Sequence, residues 1–196
     1  MVGDELMRHL ILKLDGVLQA WGGHTFEDYR PTELFPMRSG VIGLLAACLG
    51  IERKDNVGLK NIVESVKLTV RAESRGELAK ITRIIDFHTV LSARKVDGSN
   101  RSDPIVSRRQ YLCDSVFTIA LGETERARFK LDDIAAAVKK PIYTPFLGRR
   151  SCPLSRPLFE SWVDAVNGLE ALRKYGGAGF VYSEEVSENG VPLRVR

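Results

Sequence analysis

The chain has 196 residues, a net charge of +4 at pH 7 and a pI near 9.0. That length suits one sizeable domain burying roughly 70% of its unfolded surface, with no need of disulfide staples. Cys48, Cys113 and Cys152 lie far apart without a CxxC pair, which argues against a zinc site or disulfide framework and for a reducing cytoplasm. No signal peptide or membrane-spanning run is legible.

The first six residues look dispensable, and Met7 offers an alternative start. His9 to Asp15 alternates, with Leu10, Leu12 and Leu14 on one side, and predicts a strand. A loop over 16–37 carries Gln19, Trp21, His24, Arg30, Pro31 and Pro36. Met37 to Gly50 then reads as one helix, with Ser39 as N-cap and Gly50 as a left-handed C-cap. After its first turn nearly every side chain is apolar, which predicts burial on all sides. Arg38 and Ser39 beside free backbone N–H groups, with Gly40 and Gly43 permitting close approach, fit a phosphate cradle. The same glycines equally let the helix lie tight on a sheet. The spacing is not that of a P-loop.

A second helix is expected over 59–66, with Leu59, Ile62, Val63 and Val66 on one face. A strand over 66–71 has Val66, Leu68 and Val70 inward and Lys67, Thr69 and Arg71 outward, and Lys80 to Asp86 reads as another. Residues 87–112 form a basic arm, Arg94, Lys95, Arg101, Arg108 and Arg109 against Asp97 and Asp103, with a turn at Asp97-Gly98. Ser115 to Leu121 is an apolar strand, and Leu131 to Lys140 an amphipathic helix whose charges suit its dipole. A Pro-rich loop over 141–160 and a hairpin over about 178–196, turning at Asn189-Gly190, complete the chain. The order predicts a single α+β domain, 1–196. Its core is expected to be ferredoxin-like (RRM-like) βαββαβ, with the arm inserted where two neighbouring strands would otherwise meet by a tight turn. A long polar insertion in a compact domain is functional or disordered.

Catalytic constellations are thin. His9 reads as structural, His24 sits in a glycine-flanked loop, and His88 stands at the base of the arm without a second histidine nearby. The pairs Glu27-Asp28 and Glu184-Glu185 point to opposite sides of an extended segment and read as solvated. No catalytic residue, metal site or cofactor is assigned. What accumulates is cations beside aromatic rings in loops: Arg30, Arg38, Arg94, Lys95, Arg101, Arg108, Arg109, Arg149 and Arg150 with Trp21, Tyr111, Tyr143 and Phe146. Phosphate-tracking charge with base-stacking rings is how single-stranded nucleic acid is held.

Leu10 to Leu14, Leu18-Gln19-Ala20-Trp21-Gly22, Arg30-Pro31-Thr32 and Phe35 to Gly50 closely resemble the CasD family. These are RAMP-superfamily subunits of the type I-E CRISPR Cascade complex. Asp86 to Leu91, Arg109 to Asp114 and Tyr143 to Pro153 are similar to the same family, and the likeness runs from about 9 to 185. The resemblance implies a non-catalytic, cytoplasmic RNA-binding subunit that caps the 5′ handle of the crRNA in antiviral defence. It implies a handle groove beside the buried helix, clasped with the adjoining backbone subunit, and an inserted β-hairpin thumb at about 78–112 that kinks the guide. Its partners would be the crRNA handle, the backbone and large subunits, and target DNA only through the complex, with no membrane. The expected RNA-binding set is Arg30, Arg38, Ser39, His88, Arg94, Arg101, Arg108, Arg109, Tyr111, Tyr143, Arg149 and Arg150. Type I-C relatives are metal-independent endoribonucleases, which makes guide processing the alternative. Family members usually continue past the position of Arg196.

Overall fold

The computed structural model describes residues 5–25, 28–73 and 81–183. β1 (Met7–Asp15) is followed by two short strands, β2 (Leu18–Gln19) and β3 (Tyr29–Arg30). Then come α1 (Arg38–Leu49), α2 (Asn56–Ser65) and β4 (Val66–Glu73). β5 (Thr82–Val90) and β6 (Ile105–Cys113) form a long hairpin. β7 (Val116–Glu123), α3 (Leu131–Lys139), β8 (Phe159–Ala165), α4 (Gly168–Tyr175) and β9 (Gly179–Ser183) complete the described chain.

One sheet has the order β8-β1-β7-β4-β9, and every neighbouring pair in it is antiparallel. The second is centred on β6, which pairs β5 and β2 antiparallel and β3 in parallel. The fold is therefore α+β with largely antiparallel sheets. Among the described residues no helix is long and apolar enough to cross a membrane.

The large sheet is covered on both faces, and this overturns part of the sequence reading. Leu10, Leu12 and Leu14 join α1 and α3 in the main core, whereas Ile11 packs with Ala120, Ala171 and Leu172 of α4 in a second cluster. Thr69 and Arg71, expected outward to solvent, lie under that second layer at 2% and 3% exposure. The Arg71 guanidinium donates to Glu73 Oε1 (2.8 Å), to the Leu172 carbonyl (2.8 Å) and to the Gly176 carbonyl (2.6 Å). Thr118 also donates to Glu73. A buried charge persists only with such a full set of partners.

The last core strand is also a correction. β8 follows the Pro-rich loop and pairs β1, while β9 takes the opposite edge beside β4. The strand was hidden because β8 mixes polar and aromatic residues on both faces. Trp162 there is covered by the Arg8 guanidinium, 3.6 Å from the ring centroid. α4 was not foreseen either; Asn167 caps it, Oδ1 accepting from the Glu170 N–H at 2.8 Å. Of the expected C-terminal hairpin, the Asn189-Gly190 turn and the strand after it lie outside the described residues, as do Glu27, Glu184 and Glu185.

α1 ends as expected, with Gly50 at φ 74°, but Met37 rather than Ser39 is its N-cap and no side chain caps it. Nor is the helix buried all round. Ser39 and Gly43 are exposed and Ala47 half-buried, a strip of small residues left uncovered, and Val63 of α2 is exposed at 41%. The two glycines divide between the two readings of the helix. A Cβ at Gly40 would meet the Trp21 ring at 3.0 Å, so Gly40 serves packing, whereas nothing lies within 4 Å of one at Gly43.

Two measurements follow from this packing. Arg71→Met leaves the mostly buried Glu73 carboxylate without its cation, with Thr118 as its remaining donor, so urea denaturation is expected to show a loss of about 3–5 kcal/mol, most of it recovered by adding Glu73→Leu. Burial pushes the Cys48 thiol up to about 11. The unfolded thiol ionises near 8.5, so the unfolded chain gains charge first as pH rises. Cys48 thus favours the fold fully below that value, and its contribution is lost as pH climbs toward about 11. The alkaline fall in thermal stability should be shallower in Cys48→Ala.

Candidate nucleic-acid interface

The hairpin sorts its side chains by strand alternation. Register pairs Phe87 with Arg108, Asp86 with Arg109, Ile85 with Gln110 and Ile84 with Tyr111. β3 adds Tyr29 beside Arg108 and Arg30 beside Arg109. Directly paired residues share a face, so Phe87, Arg108 and Tyr29 form one row and Asp86, Arg109 and Arg30 a row on the reverse. The neighbouring arginines of the arm therefore cannot act as one patch.

On the first face Arg108 is 59% exposed and its guanidinium lies 3.7 Å from Asp28. On the reverse Arg109 Nε donates to Ser107 Oγ at 3.0 Å. His88 Nδ1 is 3.7 Å from Asp86, both half-exposed. His9, by contrast, is 2% exposed in β1 of the other sheet. At the tip, Arg94 bridges to Asn100 around the Asp97-Gly98 turn, with Gly98 at φ 84°. Hydrogen bonds from Ser99 hold the Asp97 carboxyl below its usual range. Arg101 follows, exposed, its N–H bonded to the Ala93 carbonyl at 2.9 Å.

Three expected contact residues have other employment in this structure. Arg149 donates to the Gln110 carbonyl (2.9 Å) and the Arg30 carbonyl (3.0 Å), and its guanidinium lies 4.7 Å from the Tyr111 ring centroid. It fastens the Pro-rich loop to β6 and β3. Tyr111, only 5% exposed beneath it, has no open ring face to offer a base, which corrects the stacking role expected for it. Arg38 donates to the Val63 (2.7 Å) and Val66 (3.0 Å) carbonyls, tying the start of α1 to the end of α2.

Beside α1 lies an open groove of about 2260 Å³. Its walls are the strip Ser39, Gly43 and Ala47, the sheet residues Val70 and Tyr182, and the loop residues Tyr143 and Arg150. Phe35 stacks on Tyr182 at 4.1 Å between centroids. The loop is pinned to the end of α1 by Tyr143 N–H to the Ala47 carbonyl and Ile142 N–H to the Cys48 carbonyl, both 3.0 Å. Tyr143 (46% exposed) and Arg150 stand open on that wall. Among the described residues no cluster of three or more His, Cys, Asp or Glu could hold a metal ion.

Two aromatics of this interface, the exposed Phe87 and the half-buried Tyr29, carry no local signal in the sequence. Phe87 was lost in a run read only as polar and basic, and Tyr29 in a loop; their facing is defined by the pairing with β6.

Helices packed on an antiparallel sheet, with a cationic hairpin rising from the middle of the chain, make this an α+β protein of RAMP-like build. Residues 9–196 match the family described as CRISPR-associated protein (Cas_Cas5), and the chain belongs to that family. It is 46% identical over 182 residues to the CRISPR system Cascade subunit CasD of Escherichia coli (strain K12), across 90% of this chain and 81% of that protein. A chain of a CRISPR RNA-guided surveillance complex matches with a TM-score of 0.64 and 34% identity, over 76% of this chain and 61% of the other. A crystal structure of a Cas protein matches at 0.52 and 29%, over 78% and 62%. The chain thus spans less than two thirds of the length of those two structures.

Arg149→Ala removes two hydrogen bonds from a charged donor, each worth about 1.5–3 kcal/mol when buried and less at this half-exposed site. A stability loss of about 1–2 kcal/mol is expected by urea midpoint. Arg149→Lys should not restore it, because an ammonium cannot span both carbonyls as the planar fork does.

Proposed function

We propose that this chain is the non-catalytic subunit of a type I-E Cascade surveillance complex that caps the 5′ handle of the crRNA. The observation that carries the reading is the 46% identity to a Cascade subunit along 90% of the chain, aligned over a fold that leaves the arm's cations facing outward. The succession β1-α1-β4-β7-α3-β8, with strand order β8-β1-β7-β4, supports a ferredoxin-like core, and the β5–β6 hairpin supports an inserted thumb. We read the whole as one domain.

In this reading Arg30, Arg94, Arg101, Arg108, Arg109 and Arg150 meet phosphates, with Ser39 and His88 beside the strand. Tyr143, open on the groove wall, stacks on a handle base. Arg38 and Arg149 act on the fold that positions the others, since their guanidinium groups are bonded to backbone carbonyls. The backbone subunit beside the handle and the large subunit are the protein partners, and target DNA is met through the complex. The setting is cytoplasmic, and no cofactor or metal enters.

Repeat RNA incubated with the purified protein in EDTA should be bound and left intact. Arg108→Ala and Arg150→Ala should each flatten the dependence of log K on log salt by about 0.7, the value for one lost phosphate contact on a single strand. RNA cleavage that disappears in His88→Ala would instead make the protein the guide-processing nuclease.

A further inference from the structure

We infer that the hairpin face carrying Phe87, Arg108 and Tyr29 is a base-stacking platform for single-stranded RNA. The inference rests on the RNA-binding reading and deepens it. It names the rings that take bases and the side of the arm on which those bases stack.

Register puts the three residues in one row across β5, β6 and β3, with Arg108 in the middle. Adjacent strands lie about 4.8 Å apart, so the backbones bearing the two rings are about 10 Å apart with a cation between them. Phe87 is 64% exposed, and Ile85, two residues back on the same face, is 58% exposed. Apolar groups left open side by side mark an interaction surface rather than ordinary surface scatter. Side chains stand roughly perpendicular to the sheet, so the Phe87 ring rises clear of it, while Tyr29 beyond Arg108 is half-buried.

The chemistry of the row selects its partner. Phe87 and Tyr29 flank a half-exposed guanidinium whose near acid is Asp28, at 3.7 Å, long for a committed hydrogen bond. Arg83 shares the face through its pairing with Leu112. A protein partner of apolar character would meet two desolvated arginines here. A single strand presents a phosphate to Arg108 and planar bases to the rings, which is the pairing that holds unpaired nucleic acid. The reverse face has the half-exposed His88 imidazole and Ile84 but no open phenyl or phenol ring, since its tyrosine, Tyr111, is sealed beneath Arg149.

The test uses the full chain and repeat RNA carrying 2-aminopurine, titrated at low salt with affinity and fluorescence followed together. Phe87→Ala should weaken binding by roughly 5- to 150-fold, the range for one lost stacked base, and should relieve the quenching of one 2-aminopurine. The salt slope should stay that of the unaltered chain, whereas Arg108→Ala lowers it. Phe87→Tyr should restore affinity and quenching; Phe87→Leu, apolar without a ring, should not. Phe87 is exposed, so none of these changes threatens folding. If Phe87→Ala binds and quenches as the unaltered chain does, or Phe87→Leu fully substitutes, the platform is refuted while the RNA-binding reading stands. If the unaltered chain leaves the RNA free, both fall.

Discussion

The burial of Trp21 holds the two sheets in one frame. Its ring, 1% exposed, presses on Gly40 at the start of α1, where any larger residue would push it away. Its indole N–H donates to Gln19 Oε1 at 2.9 Å, and Gln19 in turn donates to the Ser115 carbonyl at 2.5 Å. Its own backbone N–H reaches Thr32 Oγ1 at 2.8 Å, and the Thr32 N–H reaches Gln110 of β6 at 3.3 Å. A buried polar chain of this kind is stabilising only when every member is satisfied. Here it joins the core helix, the loop bearing β2 and β3, and the root of the hairpin. Arg149 closes the same junction from outside.

Covering the large sheet on both faces has a second consequence. It turns the strand positions usually left to water into a polar interior, and Arg71 with Glu73 and Thr118 fills it. It also leaves one side of α1 uncovered, because α2, the Pro-rich loop and β9 stand back from the strip Ser39, Gly43 and Ala47. The groove is the space between them. A small-residue strip lets another chain approach α1 closely, and Tyr143 and Arg150 give that space its polar wall.

Counting cations overstates what is available to a ligand. Two of the expected arginines, Arg38 and Arg149, are consumed by the protein's own carbonyls, and the neighbouring pair Arg108 and Arg109 serves opposite faces of one ribbon. What remains is directional: an arm with an aromatic, cationic front and a reverse whose tyrosine is covered. Rigid pairing along β5 and β6 gives that arm the stiffness to hold a flexible strand in one orientation.

Much was legible from residue pattern alone. The alternation of Leu10, Leu12 and Leu14, the apolar run of α1 with its Gly50 stop, and the amphipathic Leu131, Ile134, Ala135 and Val138 reflect local periodicities that survive packing. Residues 87–112 also read as polar and basic, though the strand expected to end at Asp86 runs on to Val90 as one side of the hairpin. What required the tertiary structure was facing and partnership. Which side of a strand is wet depends on what covers it, and nothing local in Thr69 or Arg71 announces α4 overhead. Whether Arg149 points at solvent or at two carbonyls is set by chain segments 39 and 119 residues away. Pattern specifies elements because their hydrogen bonds are local; it leaves the site open because pairing across sheets is not.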